Sequence, residues 1–172
     1  MTSIPLKPER GGFLRPFGCG CFIREFLLGN GPNGSPQIDP AVGAPQADIF
    51  YAYKTALIEA TALDRATRAE EKSAKRERRP IDPGNIDRLA RQYLSRMPYK
   101  GRGCCYHSFV TYFANLRRLG WVEPTGLIAA SAFQQHYPPG QPRRYYRLTP
   151  AGLSAGDRAW SNPYLALYGP RS

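Results

Sequence analysis

The sequence predicts a mainly α-helical fold with a small antiparallel β-hairpin, a long N-terminal helix and an extended N-terminal tail. Three observations carry this expectation. Between Ala47 and Leu119, apolar residues recur at three-and-four spacing in three separate runs, as in helices with one buried face. Arg143 to Leu148 alternates instead, with Tyr145 and Arg147 on one face and Tyr146 and Leu148 on the other, as a strand does. The intervening Tyr137-Pro-Pro-Gly-Gln-Pro142 excludes helix and suits a hairpin tip. With 172 residues, 42% hydrophobic and 22% charged, the chain is long enough to bury a core, and one domain with extensions is expected.

Residues 1–46 read as a Gly/Pro-rich extension. Pro5, Pro8, Gly11, Gly12 and Pro16 interrupt it early, and Asn30 to Pro36 and Pro40 to Pro45 interrupt it later. Between these breaks lies an apolar island, Cys19 to Leu28. Phe22, Ile23, Phe26 and Leu27 share one side of a short helix there. Left exposed, such a patch is a liability, so these four are expected to dock on the domain or on a partner.

The domain proper is expected over 47–160. Its first helix, 47–79, takes Asp48 as N-cap and buries Ile49, Phe50, Tyr53, Ala56, Leu57, Ala60 and Leu63. From Asp64 onward the residues are almost all charged or Ala, with mixed signs, which suits a solvated helix. The alternative places its Lys75–Arg79 end along a phosphate backbone. Pro80 ends it. Asp82-Pro83 starts the second helix, 82–97, with Ile86, Leu89, Ala90, Tyr93, Leu94 and Met97 on one face. Pro98 stops it. In the glycine-flanked turn that follows, Lys100 and Arg102 are candidate phosphate contacts; a plain solvent-exposed turn is the alternative.

A third helix is expected over 105–119. Tyr106, Phe109, Val110, Phe113 and Leu116 form its buried face. His107, Thr111, Asn115 and Arg118 fall on another face, with Ser108 beside them. These groups suit base edges: Asn pairs with adenine, Arg with guanine, and Ser or Thr with either. Gly120 ends the helix as its C′ residue, Trp121 and Val122 run beneath it, and Glu123 to Gly126 reads as a turn. The hairpin spans 127–148, where Arg143, Arg144 and Arg147 are candidate phosphate contacts. Thr149 caps a last helix with Pro150 at its first position, reaching about Trp160. The tail, 161–172, carries Tyr164 and Leu165 as further docking residues.

The net charge of +11 and pI of 9.8 favour an anionic partner. Ile81 to Arg147 holds +7 of it, ten basic residues against three acidic. There is no membrane-spanning apolar run and no signal peptide, so a cytoplasmic protein with no membrane partner is expected. Cys19, Cys21, Cys104 and Cys105 do not make the paired CxxC spacing of structural zinc, and no metal or cofactor is expected. With His107 and His136 the only histidines and no P-loop, GxGxxG or GxSxG motif, the chain does not read as an enzyme.

Leu116-Arg-Arg-Leu-Gly-Trp-Val-Glu123, followed by Arg144-Tyr-Tyr-Arg-Leu-Thr-Pro-Ala-Gly152, resembles the recognition-helix end and wing of winged helix-turn-helix regulators of the PadR and MarR type. The likeness covers roughly Asp82 to Gly152. It implies three packed helices with a small antiparallel sheet, and major-groove reading of double-stranded DNA by the Tyr106–Leu119 helix. It also implies that Arg143, Arg144 and Arg147 flank a phosphate or minor-groove contact. The expected role is transcription control, with a homodimer built through Ala47–Arg79 or the tails. The alternative is a structural subunit of a larger nucleoprotein assembly, in replication, transposition or an RNA-guided machine.

Overall fold

The core assembles around the first half of one long helix. A computed structural model describes residues 18–96, 106–129 and 142–169. In it α1 (Cys19–Leu27) precedes a two-residue strand, β1 (Ala44–Pro45), which leads directly into α2 (Gln46–Glu77). Then follow α3 (Pro83–Arg96), α4 (Tyr106–Arg118), the hairpin strands β2 (Val122–Ala129) and β3 (Arg143–Leu148), and three short helices: α5 (Pro150–Ser154), α6 (Asp157–Ser161) and α7 (Pro163–Tyr168). The architecture is mainly helical, with one three-stranded antiparallel sheet in the order β1-β3-β2. No helix among the described residues is long and apolar enough to cross a membrane.

The aromatic spacing read from the sequence explains the packing. Phe50 lies against both Tyr106 and Phe109, with ring centroids 5.2 and 5.3 Å apart. Phe109 stacks on Phe113, whose ring meets Tyr146 of β3 edge-on at 5.1 Å. Contacts of this kind are favourable beyond the area they bury. They join α2, α4 and the sheet into one core.

Several expectations are corrected. α1 and β1 are part of this core rather than of a loose extension. Phe22, Ile23, Phe26 and Leu27 are buried in it, with Phe22 packed on Tyr53 at 5.2 Å. Their apolar side docks on the chain's own domain, one of the two outcomes expected for them. β1 adds a third strand to the expected hairpin. Gly43, just before it, has φ +73°, and any Cβ there would lie 1.9 Å from the Tyr146 carbonyl oxygen. Only glycine lets the strand approach. Pro45, not Asp48, occupies the N-cap position of α2. β2 runs through the predicted turn at Glu123–Gly126, absorbing it as an irregularity in register between Pro124 and Ile128. The helix expected from Thr149 to Trp160 is two, α5 and α6, parted at Ala155-Gly156.

The second half of α2 leaves the core and pairs with α3 as a two-helix arm. Ala62, Ala66, Glu70 and Ala74 recur every fourth residue and are all buried, and small side chains on this face let α3 lie close. No residue of α3 is fully buried; Ile86, Leu89, Ala90, Tyr93 and Leu94 are half-buried. One carboxylate holds the bend. Glu70, fully buried, accepts hydrogen bonds from the Arg79 guanidinium, from the Asn85 side-chain amide, and from the backbone N–H of Asp82 at 3.2 Å. Arg79 also meets Glu77 at 2.6 Å. A buried carboxylate stays charged only with such partners.

The hydrogen bonds from Arg79 and Asn85 hold the Glu70 carboxyl at about 2, well below its ordinary value. A carboxyl depressed in the folded state stabilises that state above its unfolded pKa and loses the effect as pH falls through its folded pKa. Stability from this site is therefore flat above about pH 5, and disappears between roughly pH 4.5 and 2. Glu70→Gln is expected to lower the melting temperature at pH 7 and to flatten the acid limb of the pH profile. Circular dichroism melts from pH 7 to pH 2.5 check both, and an acid limb identical in the two proteins refutes the assignment.

Candidate nucleic-acid interface

The site is built on α4. Phe109, Phe113 and Leu116 are fully buried and fix the helix on the core. His107, Ser108, Thr111 and Arg118 stand exposed on the opposite side, and Asn115 is half-buried at its edge. Val110, expected inside, is 37% exposed and flanks this polar face, because α2 and the sheet cover only the arc that holds Phe109 and Phe113. The Thr111 hydroxyl donates back to the His107 carbonyl at 3.2 Å, which leaves its oxygen able to accept. Arg118 donates to the hydroxyl of Tyr168 at 3.2 Å, so α7 lies against the C-terminal end of the helix. Tyr164 and Leu165 of α7 remain exposed, and Tyr164 packs on Tyr168 at 4.5 Å.

The three arginines of β3 differ. Arg143, an expected phosphate contact, is turned toward α2. It is only 19% exposed, lies 3.8 Å from Asp48 in the first turn of α2, and has its Nε buried without a hydrogen-bond partner among the described residues. Burial pushes the Asp48 carboxyl up, and Arg143 pulls it partly back down. Arg147 pairs across the sheet with Glu123 at 3.0 Å, in register, and both stay partly exposed. Arg144 is exposed and makes no ion pair among the described residues. The expected contacts Lys100 and Arg102 lie outside the described residues.

One cation escaped the sequence reading. Arg117 stacks its guanidinium over the Tyr146 ring, 5.4 Å from the centroid, and is exposed at the junction of α4 and β3. Its signal was the Arg-Arg pair itself: Arg118 faces outward, and Arg117 before it is turned toward the aromatic face of the strand.

The motif that ends the helix and the one that follows the hairpin meet. The Thr149 hydroxyl donates to the Gly120 carbonyl and accepts from the Gly152 N–H at 3.0 Å, while the Thr149 N–H donates to the Trp121 carbonyl at 3.0 Å. The Trp160 indole donates to the Gly152 carbonyl at 2.9 Å, and its ring packs on Trp121 at 4.7 Å. Leu-Gly-Trp and Leu-Thr-Pro-Ala-Gly are therefore a single clasp. It is structural and sets the angle between α4 and the hairpin.

Cys19 is buried, and no three His, Cys, Asp or Glu side chains converge as metal ligands among the described residues. No family model, curated protein or solved structure matches the chain.

Gly152 tests the clasp. A Cβ there would lie 2.3 Å from the Trp121 carbonyl oxygen, against backbone that cannot swing away. Gly152→Ala should destabilise by about 1–3 kcal/mol, the usual cost of overpacking. Thr149→Val should cost about 1 kcal/mol through the lost cap. Urea denaturation reads both, and a Gly152→Ala midpoint equal to wild type contradicts the described close approach.

Proposed function

We propose that the chain binds double-stranded DNA as a winged helix, α4 reading the major groove and the β2–β3 hairpin acting as the wing, in transcription control and without enzymatic activity. The observation that carries the reading is the α4 surface. Its outer face has hydrogen-bonding side chains of several kinds, His107, Ser108, Thr111, Asn115 and Arg118, and no carboxylate. Arg117 and Arg144 extend it toward the strand that follows. A helix held firmly by its aromatic face, with donors and acceptors on the other, has the chemistry that base-edge readout requires. The element order suits this reading: α4 is followed directly by the hairpin, and a short strand from just before α2 completes the sheet in the order β1-β3-β2. The surplus of positive charge supplies the sequence-independent attraction. In this reading the usual short turn between the two helices of the motif is replaced by the α2–α3 arm.

A second reading is a structural subunit of a larger nucleoprotein assembly. It is favoured by α7, whose exposed Tyr164, Leu165 and Tyr168 lie beside Arg118 on one edge of the same face.

Selection of bound duplexes from a random pool at moderate salt tests the first reading, and an enriched motif is the expected result. Against that motif, Arg118→Ala should relax preference at one base position by about 1–3 kcal/mol. Arg144→Ala should weaken binding to all sequences alike and reduce the salt slope by about 1. A wild-type protein with no salt-dependent binding to any duplex ends the DNA reading. An isolated chain that binds no duplex and associates heterogeneously in light scattering supports the second.

A further inference from the structure

The geometry points to a second duplex-contacting surface, a rigid basic stripe along the α2 arm. It rests on the reading that α4 faces DNA, and adds a backbone-tracking element to it. Arg65, Arg68, Lys72, Lys75 and Arg76 fall within about a quarter to a third of the helix circumference at 100° per residue. All five are exposed. The stripe lies away from Ala66, Glu70 and Ala74, the buried face turned to α3. Asp64 and Glu71 flank it on one side; Arg68 meets Asp64 at 3.2 Å, and Arg76 approaches Glu77 at 4.0 Å. Arg65, Lys72 and Lys75 make no ion pair among the described residues.

The phase of the helix says which way the stripe looks. Eighteen residues are five full turns of an ideal α-helix, about 27 Å. Arg68, Lys72 and Lys75 therefore stand in line with Phe50, Lys54 and Leu57, five turns further on. Phe50 is the residue that packs on Tyr106 and Phe109 of α4. Beyond the end of the core, the arm thus presents its cations toward the side of the molecule on which α4 lies. A duplex laid over the outer face of α4 runs past an arm charged on the side facing it.

The chemistry of the stripe selects the partner. From Arg65 to Arg76 there is no apolar side chain larger than alanine, so the stripe has nothing to insert into a membrane or to pack in a protein groove. What it offers is a straight row of long cationic side chains. Their span of about 16 Å corresponds to roughly five phosphates of one strand at 3.4 Å each along the axis. Such contacts position a protein on a duplex without reading its sequence.

The test uses the full chain with Arg65, Arg68, Lys72 and Lys75 all changed to Gln, a residue that keeps the helix. Fluorescence anisotropy against 12-bp and 30-bp mixed-sequence duplexes is followed from 50 to 200 mM KCl, with unchanged circular dichroism and melting temperature as the folding control. On the 30-bp duplex the variant should lose about 3–4 from the log–log salt slope, near 0.9 per phosphate contact. A 12-bp duplex centred on α4 extends about 20 Å to either side and stops short of the stripe, so on it the two proteins should differ less. A wild-type protein that binds, with a quadruple variant of equal slope on 30 bp, overturns the stripe and leaves the α4 reading intact. A stripe variant that loses binding while Arg118→Ala and Arg144→Ala bind as wild type upholds the stripe and overturns the α4 reading. Wild-type protein that binds neither duplex overturns both.

Discussion

The position of the candidate interface depends on one hydroxyl. Thr149 bridges the end of α4, through the Gly120 carbonyl, to the start of α5, through the Gly152 N–H. The Thr149 N–H adds a direct backbone bond there, to the Trp121 carbonyl. Side-chain packing alone tolerates small rotations, and bonds to backbone groups restrict them. The Trp121–Trp160 pair covers the clasp, and the Trp160 indole satisfies the Gly152 carbonyl from the far side, so Thr149 and Gly152 are kept from water, where a hydrogen bond contributes most to holding geometry.

A different constraint governs the arm. α2 is continuous, but its two halves belong to different environments. The first half is wrapped by aromatic rings. The second touches one helix along a narrow alanine face and is held at its turn by the buried Glu70 carboxylate. The arm therefore gains its direction from the core and its closure from electrostatics.

Much of this was legible in the sequence, because the relevant signals are local. Pro80, Pro83 and Gly120 bracket the helices regardless of what packs on them, and the expected bounds of α2, the start of α3 and the end of α4 hold to within about two residues. The stripe of Tyr106, Phe109, Val110, Phe113 and Leu116 located the outer face of α4 by subtraction, except that Val110 stands at its exposed edge. What was not legible depends on distant contacts. Two residues of β1 carry no periodicity, and only the Tyr146 strand makes them a strand. The apolar island Phe22–Leu27 looked unaccompanied because its covering residues lie on α2 and on helices near the C-terminal end. Arg143 and Arg144 are identical in type, and one is turned toward Asp48 by the sheet. Glu70 resembles its charged neighbours, although its four-residue spacing from Ala66 and Ala74 was a readable sign of burial.

The pairing of α1 with α6 has a consequence for how the chain is made. Arg24 meets Asp157 at 2.7 Å, and α1 packs on α6 as well as on α2. One of the first described helices is thus closed by one of the last. During synthesis, part of the surface around Phe22, Ile23, Phe26 and Leu27 has no final covering until Trp160 leaves the ribosome. Contacts this distant in sequence form slowly, and the uncovered apolar surface is open to aggregation in the interval. The fold therefore closes only once α6 has been made, and truncation before α6 removes a wall of the core rather than a tail.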